Sequence, residues 1–162
     1  MTLALFPLPQ SDGSSDAQCT PRDLALALGR FGTDPCSNPR SHIASDVAYM
    51  LERGQDGLSL PWFGSVWCNG PYSDPLPWCE RLRDHKQPWA ALWKLDTTTR
   101  WFALLVESGA SWAPFRKRLR FEKPGNCGSA DFSSVLIWRD WEMPGAVKPW
   151  LWLQPSLFGG EL

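Results

Sequence analysis

Residues 65–78 read SVWCNGPYSDPLPW. Ser65 to Cys68 is a short run of small, β-branched and aromatic residues, which predicts a strand. That strand runs straight into Asn69, Gly70, Pro71 and Tyr72. An amide, a glycine, a proline and an aromatic ring finish a merely structural strand poorly. They make good walls for a flat, polar group. Asn-Gly-Pro on its own is also an ordinary turn, so the surroundings must decide.

Upstream, Thr20-Pro21-Arg22-Asp23 carries helix-start signals. Thr20 is read as the N-cap and Pro21 as the first helical residue, with an early acid at Asp23. The helix is expected to end near Leu28, at Gly29. A short strand should then end near Asp34, followed by a loop through Pro35 and Cys36. In residues 41–53, Ile43, Val47 and Met50 or Leu51 recur about every four positions, which predicts a helix. Gly54 and Asp56-Gly57 mark a turn. Beyond Tyr72, LPWCERLRDHKQ reads as helix, WAALWKL as strand and TTTRWFALLVESG as helix, with Trp101, Leu104, Leu105 and Ser108 inward. SWAPFRKRLRFE resembles a strand with a basic turn, residues 124–130 a loop and DFSSVLIW a strand. Alternating strands and helices point to an α/β fold with a largely parallel sheet and helices on both faces. Ligands of such sheets bind at the carboxyl ends of strands. Asp34, Asn69 and Asp96 all fall where a predicted strand runs out.

Composition sets outer bounds. The chain has 162 residues, enough for one domain with one sizeable core. Apolar residues make up 43%, and 11 are Trp, more than one core of this size needs. Some of the Trp are therefore available for contact or stacking. The net charge is −1, so a nucleic-acid reading must rest on a local patch. The 5 Cys are odd in number and contain no CxxC. That argues against a disulfide framework or a standard zinc site and for reduced thiols in a cytoplasm. His42 and His85 are too isolated to propose a metal site. Residues 1–10 lack the basic start of a signal peptide, and no apolar run reaches the ~18 residues of a membrane span.

The chemistry of Asn69–Tyr72 suits an exocyclic amine on a planar base. Such a nitrogen delocalises its lone pair into the ring and is a poor nucleophile. Two acceptors beside its N–H bonds favour a pyramidal, reactive nitrogen. The Asn69 amide oxygen and the backbone carbonyl of Gly70 are the candidates. Tyr72 would stack on the flipped base, and Pro71 would stiffen the loop. A sulfonium methyl donor in line would complete the transfer, with rate coming from alignment and fixed dipoles.

These residues resemble the Asn/Asp-Pro-Pro-Tyr signature of amino-directed DNA methyltransferases. The ordered set around them is similar to the small phage-type, Dam-like DNA N6-adenine methyltransferases. The set comprises Thr20-Pro21, Asp34-Pro35-Cys36, Asp56-Gly57-Leu58 with Trp62, Asn69–Tyr72, Thr97–Phe102 and Arg118-Leu119-Arg120-Phe121. It spans roughly residues 18–138. The resemblance implies a single-domain Rossmann-like methyltransferase fold. It also implies S-adenosylmethionine as cofactor and DNA as partner, with no metal and no membrane. It places Thr20, Pro21, Asp34, Cys36 and Asp56 near the donor. Gly70 departs from the signature, where the first proline stands, and the Gly-rich loop of larger methyltransferases is absent. A methyltransferase-fold binding module is therefore the main rival. An enzyme acting on RNA adenine, cytosine N4 or a protein amide is the second.

Arg116, Lys117, Arg118 and Arg120, interleaved with Phe115 and Phe121, form the densest basic cluster. They suit phosphate contact, and they equally suit a charged sheet edge that resists association. The expected division is a flexible lead-in at 1–18, a methyltransferase domain at 19–139, and a Trp/Pro-rich segment at 140–162 packed on or near it. Location is expected to be cytoplasmic, in the host cytoplasm if phage-encoded.

Overall fold

The computed structural model describes residues 18–123 and 126–153, with side chains from 122 to 129 left aside. The expected lead-in, apart from Gln18, and the end of the Trp/Pro-rich tail lie outside the described residues.

Helix α1 (Arg22–Leu28) leads into strand β1 (Arg30–Ser37), β2 (Ala44–Met50) and β3 (Val66–Cys68). Helix α2 (Leu76–Asp84), β4 (Trp89–Lys94), helix α3 (Arg100–Glu107) and β5 (Ser111–Pro114) follow. A small hairpin of β6 (Arg120–Lys123) and β7 (Asn126–Ser129) precedes β8 (Ser134–Arg139). The main sheet has the order β2-β1-β3-β4-β8-β5. Its β2, β1, β3 and β4 are parallel, and β8 runs antiparallel between β4 and β5.

Strict alternation of side chains across the sheet builds two cores. Trp67, Ala90, Leu92 and Leu136 face Leu24 and Leu28 of α1. Val66, Cys68, Trp89, Ala91, Trp93, Val135 and Ile137 face α2 and α3 on the other side. Central strands buried on both faces read as continuous apolar runs, as "WAALW" does. Trp67, Trp89 and Trp93 are fully buried, while Trp112 and Trp152 are exposed. The excess of Trp is thus split between core and surface.

Several expectations need correction. Residues 41–53 are not one helix; only Leu51–Arg53 form a single 3-10 turn. Residues 44–50 form β2, paired in parallel with β1 from Arg30↔Ala44 to Ser37↔Met50. The return from Ser37 to Ala44 takes only six residues, about half an ordinary crossover. An edge strand shows burial on one side only, so Val47 and Tyr49 carry the pattern weakly and a chance spacing of four dominates. Residues 126–129, read as loop, are β7. Strand β1 continues past Asp34 to Ser37, with an irregularity in its register there. The N-cap of α1 is Pro21, not Thr20, and no side chain caps it. Helix α3 buries Trp101, Phe102 and Leu105, so the inward face is turned toward Phe102 and away from Ser108.

Candidate active site

The β1/β3 boundary is where the sheet reverses its order of growth, the place such sheets bind ligands. The carboxyl ends of β1, β3 and β4 bring Cys36, Asn69 and Asp96 to one edge. Helix α1 runs antiparallel to β1, so Thr20 and Pro21 reach the same edge. Strand β8 begins there too, because Lys94 pairs with Ser134. Strand β5 ends there, with the Phe115 N–H donating to the Ser134 carbonyl.

Asn69 is half-buried directly after β3. Its Nδ2 donates to the Gln18 carbonyl and to Thr20 Oγ1, both at 3.3 Å. Those two bonds orient the amide, with Oδ1 on the opposite side of the group. Thr20, freed from capping the helix, serves Asn69 instead. Gln18 was not legible in the sequence, because its role is played by a backbone carbonyl.

Gly70 is buried. A Cβ there would lie 3.3 Å from Trp78 Cγ, 3.3 Å from Trp93 Cζ2 and 3.4 Å from Cys36 Sγ. Its φ is not in the left-handed region. Two indoles fill the space beside the backbone, so packing supplies the stiffness that a proline ring would give. Tyr72 has its ring edge-on to Phe132 at 5.4 Å and to Phe121 at 6.3 Å. Burial pushes its phenol pKa up, so it stays neutral.

Asp34 is 3% exposed, and its carboxylate accepts from the Cys36 N–H at 3.2 Å. Burial raises its pKa to about 7, against hydrogen bonds from Cys36, Ser37 and Ser41 that pull it down. It is turned into the strand end and shapes it. Cys36 Sγ lies 3.8 Å from Cys68 Sγ, and burial holds its thiol protonated.

Asp56 is exposed. Its carboxylate accepts from the Ser59 hydroxyl and, at 3.0 Å, from the Leu58 N–H. The Ser59 and Leu58 bonds hold its pKa below the usual carboxylate range. The next residue must be glycine, since a Cβ on Gly57 would land on the Pro35 carbonyl oxygen. The Asp56-Gly57-Leu58 turn therefore lies directly on Asp34-Pro35-Cys36. Arg81 from α2 straps that turn, donating to the Gly57 carbonyl at 2.7 Å and to the Leu58 and Leu60 carbonyls. Its guanidinium stacks 4.4 Å over Trp62, whose Nε1 also donates to the Gly57 carbonyl. Nothing in the sequence marked Arg81 beyond its place one turn after Trp78.

Arg116, Lys117 and Arg118 are exposed on the segment between β5 and β6, and Arg120 is exposed at the start of β6. Arg116 Nε donates to the Leu151 carbonyl at 2.8 Å, and its guanidinium lies 4.4 Å over Trp152. Phe115 and Leu151 form an antiparallel bridge, so the segment after β8 returns to this edge.

The mostly parallel sheet flanked by helices is an α/β fold of the Rossmann-like methyltransferase type. A family model described as DNA N-6-adenine-methyltransferase (Dam) matches residues 11–147, and the chain belongs to that family. No curated protein matches it. Its activity is S-adenosylmethionine-dependent methylation of adenine N6 in DNA. Among the described residues no cluster suits a metal ion, and no helix is long and apolar enough to cross a membrane.

Proposed function

We propose that Asn69 Oδ1 and the Gly70 carbonyl accept the two N6–H bonds of a flipped adenine, with Tyr72 against its ring and Pro71 fixing the loop. The observation that carries this is the doubly anchored amide of Asn69 at the end of β3. Its acceptor is aimed before substrate arrives, so no reorganisation is needed in the transition state. Phe121 and Phe132 hold the Tyr72 ring in one orientation.

The donor's residues fit this edge. Asp56 is ionised at neutral pH and exposed, able to accept from ribose hydroxyls or an amine. It is fixed on the Pro35 backbone beside Cys36, while Thr20 and Pro21 close the other side. Asp34 supports them from beneath. When bound, the donor supplies an electrophilic methyl on a sulfonium. Asn69 and Gly70 draw density toward N6 and take up its proton's hydrogen bond as charge develops. Water or bulk base then removes the proton, since the one raised-pKa carboxyl here, Asp34, is turned inward. Arg116, Lys117, Arg118 and Arg120 contact phosphates. A cytoplasmic location goes with a DNA substrate.

Gly70 favours the enzyme over the binding-module reading. The backbone carbonyl is kept, and Trp78 and Trp93 occupy the space that decides its alignment. Methyl transfer to duplex DNA by the wild type and by Asn69→Ala, with donor binding measured in both, tests the reading.

A further inference from the structure

A cleft of about 600 Å³ opens beside the clamp. Pro21–Asp23 form one wall, Phe115–Arg120 the other, and Pro149 and Trp150 close one end. Five cations, Arg22, Arg116, Lys117, Arg118 and Arg120, line it against the single carboxylate of Asp23. The whole chain carries a net −1, so this positive charge is a local concentration. Among the described residues, Arg22, Lys117, Arg118 and Arg120 have no ion-pair partner. Cations that merely protect a sheet edge stand outward along it. Here Arg22 stands across a cleft from the other four, and the repulsion among these cations is relieved by an anion bound in it.

The cleft shares both walls with the clamp. Thr20 receives the Asn69 amide, and Pro21, next in the chain, lines the cleft. Phe121 holds Tyr72, and Arg120, its neighbour, lines the cleft. On each side the two sites lie one residue apart, about 3.8 Å of backbone. The volume of the cleft falls within the range of a small-molecule pocket, which suits a short stretch of one strand better than a duplex. Trp150 adds an aromatic face. A basic groove with an aromatic platform is the arrangement that follows a single strand.

We infer that this cleft holds the sugar–phosphate backbone of the one strand that carries the target adenine, beside the flipped base. Arg22 and Trp150 join the basic segment in binding it. The enzyme then reads one strand and accepts single-stranded DNA as well as duplex. The inference rests on the clamp reading of Asn69–Tyr72.

The test uses the whole chain with a labelled single-stranded oligonucleotide and its duplex, each with one adenine context. Affinity is measured against salt for the wild type, for the combined Arg22→Ala, Arg118→Ala and Arg120→Ala variant, and for Arg30→Ala at the opposite edge. Wild-type methylation of the single strand is expected within tenfold of the duplex in kcat/KM. The triple variant should bind the single strand at least tenfold more weakly. Its slope of log affinity on log salt should fall by about 2, near 0.7 per lost phosphate contact. Its affinity for S-adenosylmethionine should be unchanged, which shows the fold intact. Arg30→Ala should behave as wild type. Trp150→Ala should weaken the single strand with the salt slope unchanged. Wild-type affinity and slope in the triple variant overturn the inference. So does methylation of the duplex with single-strand methylation more than tenfold poorer, or no DNA binding at all. Salt-sensitive single-strand binding that the triple variant loses, without methyl transfer to any DNA, would instead sink the clamp reading and leave the cleft standing.

Discussion

Gly70 stands where the related signature has a proline, and its neighbours explain why. Trp78, Trp93 and Cys36 all stand within 3.3–3.4 Å of the place a Cβ would take, so a side chain has to push one of them aside. Gly70→Ala should cost about 1–3 kcal/mol by overpacking, read by urea denaturation, and should slow single-turnover transfer more than it weakens donor binding. Asn69→Ala should lower kcat by about 10²–10³, the usual loss for one preorganised polar group, with donor affinity kept. Asp34 gives a pH signature. Its pKa is 3.8 when unfolded and about 7 when folded. A raised carboxyl pKa means the unfolded chain gives up its proton first. The stability it affects is therefore full below pH 3.8 and is lost as pH rises through about 7. Asp34→Asn should accordingly match wild type in Tm near pH 4 and exceed it increasingly up to pH 7, with a constant gain beyond. A gain that is the same at pH 4 and pH 8 would show that Asp34 does not titrate in this window. Asn69, Gly70 and Tyr72 stood out in the sequence because the proposed amino-group clamp needs those groups in that order. The anchors of Asn69 did not: one is the backbone carbonyl of Gln18, 51 positions away, and the other is the hydroxyl of Thr20, 49 positions away, which the sequence marks as a helix cap.

The turn at Asp56–Leu60 is held by α2 as well as by its own hydrogen bonds. One guanidinium takes three carbonyls and a Trp face, a geometry that a lysine's point charge cannot copy. Arg81→Lys should raise the KM for S-adenosylmethionine several-fold while kcat at saturating donor changes little. Arg81→Ala should also lower stability by roughly 2 kcal/mol. An unchanged KM in both would separate this turn from the donor. At this scale the helices α1, α2 and α3 and the strands β3, β4 and β8 were readable from apolar runs and from Gly29 and Pro signals. Strand β2 was not. It is an edge strand with a salt bridge, Arg30 to Asp46, on its exposed side, and its alternation is blurred by half-buried small residues. Pairing with β1 decides its conformation, and pairing partners are invisible to a local pattern. The same holds for β7, which exists only as the partner of β6.

Across the molecule, one edge gathers the residues of the proposed site. Four parallel strands end there, α1 starts there, and antiparallel β8 makes β5 end there as well, so the basic segment emerges beside the clamp. The class of fold was legible as alternating elements. The order β2-β1-β3-β4-β8-β5 was not, because no local signal sets which strands become neighbours. The segment after β8 completes this edge. Leu151 is fully buried, and the Trp152 N–H donates to the Pro114 carbonyl at 2.9 Å. Leu151→Ala should cost about 2–5 kcal/mol and loosen Arg116, seen as weaker DNA binding at a temperature where the variant is still folded. The central claim is that the Asn69 amide and the Gly70 carbonyl present an adenine amino group for methylation. Its most direct measurement is transfer of labelled methyl from S-adenosylmethionine to unmethylated duplex DNA by wild type and Asn69→Ala, with the nucleosides identified after digestion. The account predicts N6-methyladenine from the wild type and its near-complete loss in a folded, donor-binding Asn69→Ala. N6-methyladenine produced equally by both proteins would contradict it.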